Sequence, residues 1–218
     1  MKLKGAALVS FLALALLLAL SAQEPGGSIG WYNGDWQSGI PSPQNWYLTS
    51  DNYARVYDQF QVPDGGWTVV AVFSDNNISD VAIVGTVSWE IRRKMAPGNG
   101  GELVASGISP AIQSSDPAVT PPRYKEEVVK THFRIQANFL HVQLAAGSYW
   151  ISVAPGGVNT AFLSSTLGAN AVGLDANGPR LALVDRSAGP LFAIADSAGR
   201  TGQVGRARYF SQGVIIAR

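Results

Sequence analysis

Three stretches of this chain alternate apolar and polar residues with a period of two. That pattern constrains the fold more tightly than any other feature. Val87, Trp89 and Ile91 oppose Ser88, Glu90 and Arg92. Val129, Thr131, Phe133, Ile135 and Ala137 oppose Lys130, His132, Arg134 and Gln136. Tyr149, Ile151 and Val153 oppose Ser148, Trp150 and Ser152. Successive side chains of a strand point to opposite faces, so each stretch presents one face to a core and one to water. Trp67–Ser74 is apolar on both faces, which predicts a central strand. Tyr53–Val62 precedes it and ends on the turn signal Pro63-Asp64-Gly65-Gly66. Shorter strand candidates lie at Leu181–Asp185, Leu191–Ala195 and Arg206–Ile216, whereas Ser106–Arg123 reads as a Pro/Ser-rich loop.

The expected architecture is an all-β, antiparallel β-sandwich of jelly-roll type over residues 51–218, with a closed barrel as the alternative. Residues 23–50 are expected to form an irregular, aromatic-rich N-terminal segment, because Gly26-Gly27, Asn33-Gly34, Gly39 and Pro41-Ser42-Pro43 interrupt it. Residues 1–22 read as a secretory signal peptide. Lys2 and Lys4 precede an apolar run from Ala6 to Leu20, small residues follow at Ser21 and Ala22, and the chain then turns polar. The run of about 15 residues is shorter than the roughly 20 that span a bilayer. The expected location is secreted or periplasmic, with no membrane span after cleavage.

Removing Lys2 and Lys4 leaves 14 basic against 15 acidic residues. No basic stripe is present, so nucleic acid is not an expected partner. Cysteine is absent, which excludes disulfides, thiol nucleophiles and zinc–thiolate sites. An exported chain of this kind must be held by core packing or bound ions. Oligomeric state is not encoded in any motif.

Three segments occur in a familiar order. They are Tyr57-Asp58-Gln59-Phe60-Gln61-Val62-Pro63 with Gly65-Gly66-Trp67-Thr68, then Trp89-Glu90-Ile91-Arg92 with Gly98-Asn99-Gly100-Gly101, then Leu144 to Val153. Over roughly residues 53–175 this wording resembles a group of secreted bacterial β-sandwich proteins, some of which carry a C-terminal PEP-CTERM sorting tail. The resemblance implies fold and export and brings no catalytic residue with it. Arg206–Arg218 has no apolar helix with a basic stop, so sorting by that tail is not expected.

The chemistry-bearing residues are sparse. His132 and His141 are expected to be solvent-facing, and no Gly-x-Ser-x-Gly elbow is present. Glu90, Glu126 and Glu127 are the carboxylates considered for glycoside hydrolysis, which needs two at a defined separation. Glu90 pairs more simply with its same-face neighbour Arg92. Asp75, Asn77 and Asp80 offer the oxygen ligands that Ca²⁺ requires, although Asp and Asn equally populate ordinary turns; no other cofactor is expected. Aromatic residues crowd residues 31–57. The rings of Trp31, Trp36 and Trp46, and separately Trp150, are candidates to stack on a sugar, with sheet packing as the competing role. The expected function is therefore a secreted non-catalytic module, structural or binding polysaccharide or cell-envelope material. The alternative is a glycosidase or lyase acting on the same polymers.

Overall fold

The computed structural model describes residues 26–36, 42–78, 83–115, 131–166, 168–173, 182–189, 191–194 and 209–218. The signal-peptide residues, Asp80, Glu126 and Glu127 lie outside them. The described elements are all strands: β1 (Gly27–Tyr32), β2 (Trp46–Thr49), β3 (Asn52–Val62), β4 (Trp67–Ile78), β5 (Thr86–Arg93), β6 (Glu102–Pro110), β7 (Ile112–Ser115), β8 (Thr131–Ala137), β9 (Val142–Leu144), β10 (Gly147–Gly156), β11 (Ala161–Leu163), β12 (Ser165–Thr166), β13 (Ala182–Arg186), β14 (Ala193–Ile194), β15 (Tyr209–Phe210) and β16 (Gln212–Ala217). No helix long and apolar enough to cross a membrane occurs among the described residues.

Two seven-stranded sheets pack face to face as a β-sandwich. The first runs β1-β16-β4-β8-β7, with β9 and β11 also on β4. The second runs β14-β13-β3-β2-β10-β5-β6. The ladders are antiparallel except for a single parallel contact, Gly156 of β10 with Tyr47 of β2. The alternation in β5, β8 and β10 resolves as the sequence indicates. Val87, Trp89 and Ile91 meet Phe133, Ile135 and Ala137 and Tyr149, Ile151 and Val153 in one core. Phe60 is the aromatic centre of that core, 5.4 Å from Trp31, 5.8 Å from Tyr149 and stacked at 6.2 Å on Trp67. Each such side chain contributes about 1.5–3 kcal/mol on leaving water.

Three expectations need correcting. The segment 23–50 is not a separate irregular piece: β1 edges the first sheet on β16 and β2 joins the second. Trp31, buried in the core, fixes β1, and half-buried Trp46 packs against the same cluster. The stretch from Ser106 expected as a Pro/Ser-rich loop is strand up to Ser115, apart from Ala111, with β6 on β5 and β7 on β8; its remainder, 116–123, lies outside the described residues. The polar run after Ser74 is not a turn up to Ile78, since β4 continues through it. Its ladder partner changes there from β16 to β11. The Asp75 amide donates to the Ser211 carbonyl at 2.9 Å, and the Ser164 amide donates to the Asp75 carbonyl at 2.8 Å. Both backbone groups of Asp75 thus find a partner at the changeover, which helps polar residues stay in a buried strand.

A buried polar rivet joins the sheets. β3 and β10 pair from Val62/Gly147 to Asp58/Ile151 and then part to admit β2. At that fork Gln212 of the first sheet inserts its side-chain amide. The Val153 amide donates to Gln212 Oε1 at 2.9 Å, and Gln212 Nε2 donates to the Val56 carbonyl at 3.3 Å and to Asp58 Oδ2 at 2.8 Å. The side chain thus replaces the peptide-to-peptide link that the splayed strands no longer make.

Candidate functional site

The outer face of the second sheet carries an open hollow of about 440 Å³. Period-two geometry assembles it. Tyr53, Arg55 and Tyr57 project from β3, Ser88, Glu90 and Arg92 from β5, and Asp185 from β13. Tyr47 of β2, Ser106 and Ile108 of β6, and Leu191 and Phe192 before β14 complete the walls. The opposite faces of β3 and β5 supply Phe60, Val87, Trp89 and Ile91 to the core, so the platform under the hollow is rigid.

Arg55 spans the floor. It is 5% exposed. Its Nη2 donates to Ser88 Oγ at 2.6 Å and lies 3.6 Å from Glu90 Oε1. Its guanidinium sits 5.0 Å from the Tyr47 ring centre and 5.8 Å from that of Tyr53, within cation–π range. Glu90 Oε2 accepts from Arg92 Nε at 2.6 Å and from the Tyr57 hydroxyl at 2.9 Å. The Tyr53 hydroxyl donates to Asp185 Oδ2 at 3.0 Å. Burial, then the Glu90 charge, pushes the Tyr57 hydroxyl far up. Burial and the Asp185 hydrogen bond push Tyr53 up to about 12. For Arg92, burial pulls down, but the Glu90 hydrogen bond and charge outweigh it and the net shift is upward.

Among the residues lining the hollow, two side-chain polar atoms have no partner. Arg55 and Asp185 stand directly opposite each other in the β3–β13 ladder, yet Arg55 leans away towards Ser88. Arg55 Nη1 and Asp185 Oδ1 are both buried and both unpaired. Buried polar groups are ordinarily hydrogen-bonded, and an exception calls for a cause. Here an orphan donor and an orphan acceptor lie on facing residues of a concave aromatic hollow.

The aromatic residues singled out from the sequence are placed elsewhere. Trp31, 1% exposed, belongs to the core and offers no face to a ligand. Trp150, 4% exposed, lies on the polar-face side as expected but is covered by Tyr57, Met95, Leu183 and neighbouring Phe192. It therefore supports two walls of the hollow without lining it. Trp46 is half-buried against the core. Trp36 is half-buried and packs on His132 with the rings tilted and their centres 4.1 Å apart. His132 is consequently buried, not solvent-facing, while His141 is exposed.

The calcium expectation fares differently at each residue. Asp75 is fully buried. It accepts from Arg134 Nε at 2.7 Å, Arg134 Nη2 at 2.9 Å and the Tyr32 hydroxyl at 2.8 Å, and Ser211 Oγ lies 2.7 Å away. A guanidinium occupies the place that a cation would take. Asn77 lies on the same strand face with Oδ1 buried and unpartnered, and Asp80 is outside the described residues. Among the described residues no group of three or more His, Cys, Asp or Glu side chains forms a metal cluster.

Sequence reasoning marked Glu90 and Arg92 and, within the aromatic cluster of residues 31–57, Tyr47, Tyr53 and Tyr57, but not Arg55 or Asp185. One local signal was there. Tyr53, Arg55 and Tyr57 alternate with Ala54 and Val56, which is a polar-aromatic face in a strand. What selects Asp185 is ladder pairing across about 130 residues, which no local pattern carries. No protein-family model matches the chain, and no curated protein is significantly similar to it in sequence.

Proposed function

We propose that this chain is a secreted, non-catalytic module that binds polysaccharide or cell-envelope glycan in the hollow on its second sheet. The observation that carries the reading is the facing pair of unpartnered atoms, Arg55 Nη1 and Asp185 Oδ1. A sugar diol both donates and accepts, so neighbouring hydroxyls would satisfy the two together once rotation of the Arg55 and Asp185 side chains turns these buried atoms towards the hollow. Two guanidiniums and two carboxylates line the same hollow, a balance suited to a neutral hydroxylated ligand and poorly suited to a polyanion. Tyr47, Tyr53 and Tyr57 bring aromatic area with polar tips. The volume falls within the range of small-ligand sites. The basic–apolar–small leader supports export, and a jelly-roll connectivity would place the module beside the lectin domains built on that frame.

Hydrolysis or elimination is the second reading, favoured by one observation: Glu90 and Asp185 line the same hollow. Against it, Glu90 Oε2 already accepts from Arg92 and Tyr57, and Oε1 lies 3.6 Å from Arg55 Nη2, so the carboxylate is engaged by protein groups on both oxygens, where an acid–base catalyst must reach the substrate.

Titration of a glycan panel, read by intrinsic Trp and Tyr fluorescence, tests the proposal. At least one neutral glycan shifts the emission. Arg55→Met and Asp185→Asn each weaken its binding about tenfold or more, the effect of losing a charge-assisted hydrogen bond. Asp185→Asn keeps the side-chain shape, so its folding serves as the control. Release of reducing ends would favour the enzymatic reading. A panel without any response, or variants that bind as the parent does, would overturn the proposal.

A further inference from the structure

Between β5 and β6 the chain turns through Pro97-Gly98-Asn99-Gly100-Gly101, a polar motif that the hollow leaves unused. Asn99 is exposed, yet the turn is closely tied. The Ala96 amide donates to the Asn99 carbonyl at 3.0 Å, the Asn99 amide to the Ala96 carbonyl at 2.8 Å, and the Gly98 amide to the Phe192 carbonyl at 3.0 Å. Asn99 Oδ1 accepts from the Gly101 amide at 2.9 Å. An asparagine that bonds the backbone two residues on folds its side chain back along the intervening peptide. Cγ of Asn99 is thereby held towards the Gly100 nitrogen, and the hydrogen bond to Oδ1 draws electron density from that carbon. Among the described residues the Gly100 N–H makes no hydrogen bond, and without a Cβ nothing keeps its nitrogen from approaching.

We propose that Asn99 is a site of spontaneous deamidation, selected by the geometry of this turn. The Gly100 nitrogen gives up its proton and bonds to Cγ of Asn99. The Cγ–Nδ2 bond breaks, and ammonia leaves with that proton. The product is a five-membered succinimide, and water then opens one of its two imide bonds. Cleavage at Cγ gives aspartate. Cleavage at the Asn99 main-chain carbonyl carbon gives isoaspartate, whose main chain runs through Cγ and is one methylene longer. Water is the only co-reactant, and nothing is oxidised or reduced.

The longer backbone matters because Gly100 is packed without slack. A Cβ on it would collide with the Phe192 ring, and its carbonyl accepts from Arg92 Nη1 at 3.0 Å. Phe192 holds a left-handed backbone, φ 48°, which a bulky residue keeps only where its surroundings impose it. Phe192 and Arg92 both line the hollow. Isoaspartate at position 99 therefore displaces Gly100, lets the Phe192 backbone relax and loosens that wall. Asn33-Gly34 is the contrast. Both residues are buried, and Asn33 Nδ2 donates to the Phe210 carbonyl at 3.1 Å.

Incubation of the purified chain at mildly alkaline pH, folded or in urea, tests the proposal. Peptide mapping with isoaspartate-specific methylation reads the product. Asn99 reacts in the folded chain at least as fast as in the unfolded one. Asn33 reacts at least about tenfold more slowly folded than unfolded, because it must await local opening. Asn177-Gly178, outside the described residues, is counted in its own peptide. Amide hydrogen exchange of residues 191–194 quickens as isoaspartate accumulates at position 99. It does not in Asn99→Ser aged alongside, where the hydroxyl can still accept from the turn. An Asn99 that folding protects, or aspartate as the sole product, would overturn the site. Unchanged exchange at 191–194 in the aged parent would overturn its effect on the wall. None of these readouts uses a glycan, so their failure and that of the proposed function are told apart.

Discussion

Asp75→Ala is expected to destabilise the protein by about 3–5 kcal/mol, the usual effect of removing one member of a buried ion pair. Asp75 is completely buried and receives Arg134 Nε and Nη2 together. The guanidinium lies 4.1 Å from the Phe73 ring centre and 5.3 Å from that of Tyr32. Without the carboxylate, a mostly desolvated cation loses its counter-charge, and the Tyr32 and Ser211 hydroxyls lose an acceptor. In a domain of this size the change lowers the melting temperature by about 6–20 °C. Asp75→Asn keeps the shape but not the charge and should fall between the two. Adding Arg134→Met to Asp75→Ala should recover part of the loss, since it removes the stranded cation. Thermal or urea unfolding of the four proteins is the check. A loss below about 1 kcal/mol for Asp75→Ala would show that the pair does not hold the first sheet's outer layer together.

The second large effect is alkaline. Tyr32 and Tyr57 are buried, and burial raises both hydroxyls well above the ordinary 10.0, assisted by the Asp75 and Glu90 charges respectively. Below about pH 10 both phenols are protonated in the folded and unfolded chain, and stability does not depend on them. Above it the unfolded chain releases the two protons while the folded chain keeps them. Stability therefore falls as pH rises, by about 1.4 kcal/mol per pH unit for each tyrosine, or roughly 2.7 for the pair. Tyr53, more exposed, adds a weaker contribution that ends near its own value of about 12. Urea midpoints across about pH 9 to 12, followed together with phenolate absorbance, measure this. Tyr57→Phe should remove about half of the slope. A stability that stays flat across that range, or phenolate absorbance from all seven tyrosines of the folded protein near pH 10, would contradict the burial of these hydroxyls.

The sandwich was legible in the sequence where a strand has one dry and one wet face. β5, β8 and β10 alternate strictly, and their apolar sets are the ones found in the core. β3 and β4 were legible from their apolar content and from the turn between them. β6 and β7 were hidden because edge strands bury neither face well: exposure alternates along β6 only between half and full. β1 and β2 were hidden because glycines and prolines surround two short ladders whose partners, β16 and β3, supply the order. The strand character of Asp75 and Asn76 was illegible for another reason. Their polarity is answered by Arg134 of β8, Tyr32 of β1 and Asn45 just before β2, with Ser74 of β4 itself adding to Asn76, and local propensity cannot see the distant partners. For the candidate site, the polar face of β5 could be read directly. Its convergence with Tyr53, Arg55, Tyr57 and Asp185 depends on the order β13-β3-β2-β10-β5 in the sheet, which the sequence does not state. The tryptophans misled because a large aromatic serves packing as well as stacking, and here Trp31 and Trp150 serve packing.

The central claim is that the facing Arg55 and Asp185 form the recognition point of a glycan site. It is tested most directly by mapping amide and guanidinium NMR shifts during titration with the glycan that gives the strongest fluorescence response. The account predicts that the largest changes fall on Arg55 and Asp185 and on the tyrosine rings of Tyr47 and Tyr53, with the Arg55 side-chain signals moving in step with occupancy. Changes confined to the Trp36–His132 ring contact away from the hollow, or shifts that leave Arg55 and Asp185 unmoved at saturation, would contradict it.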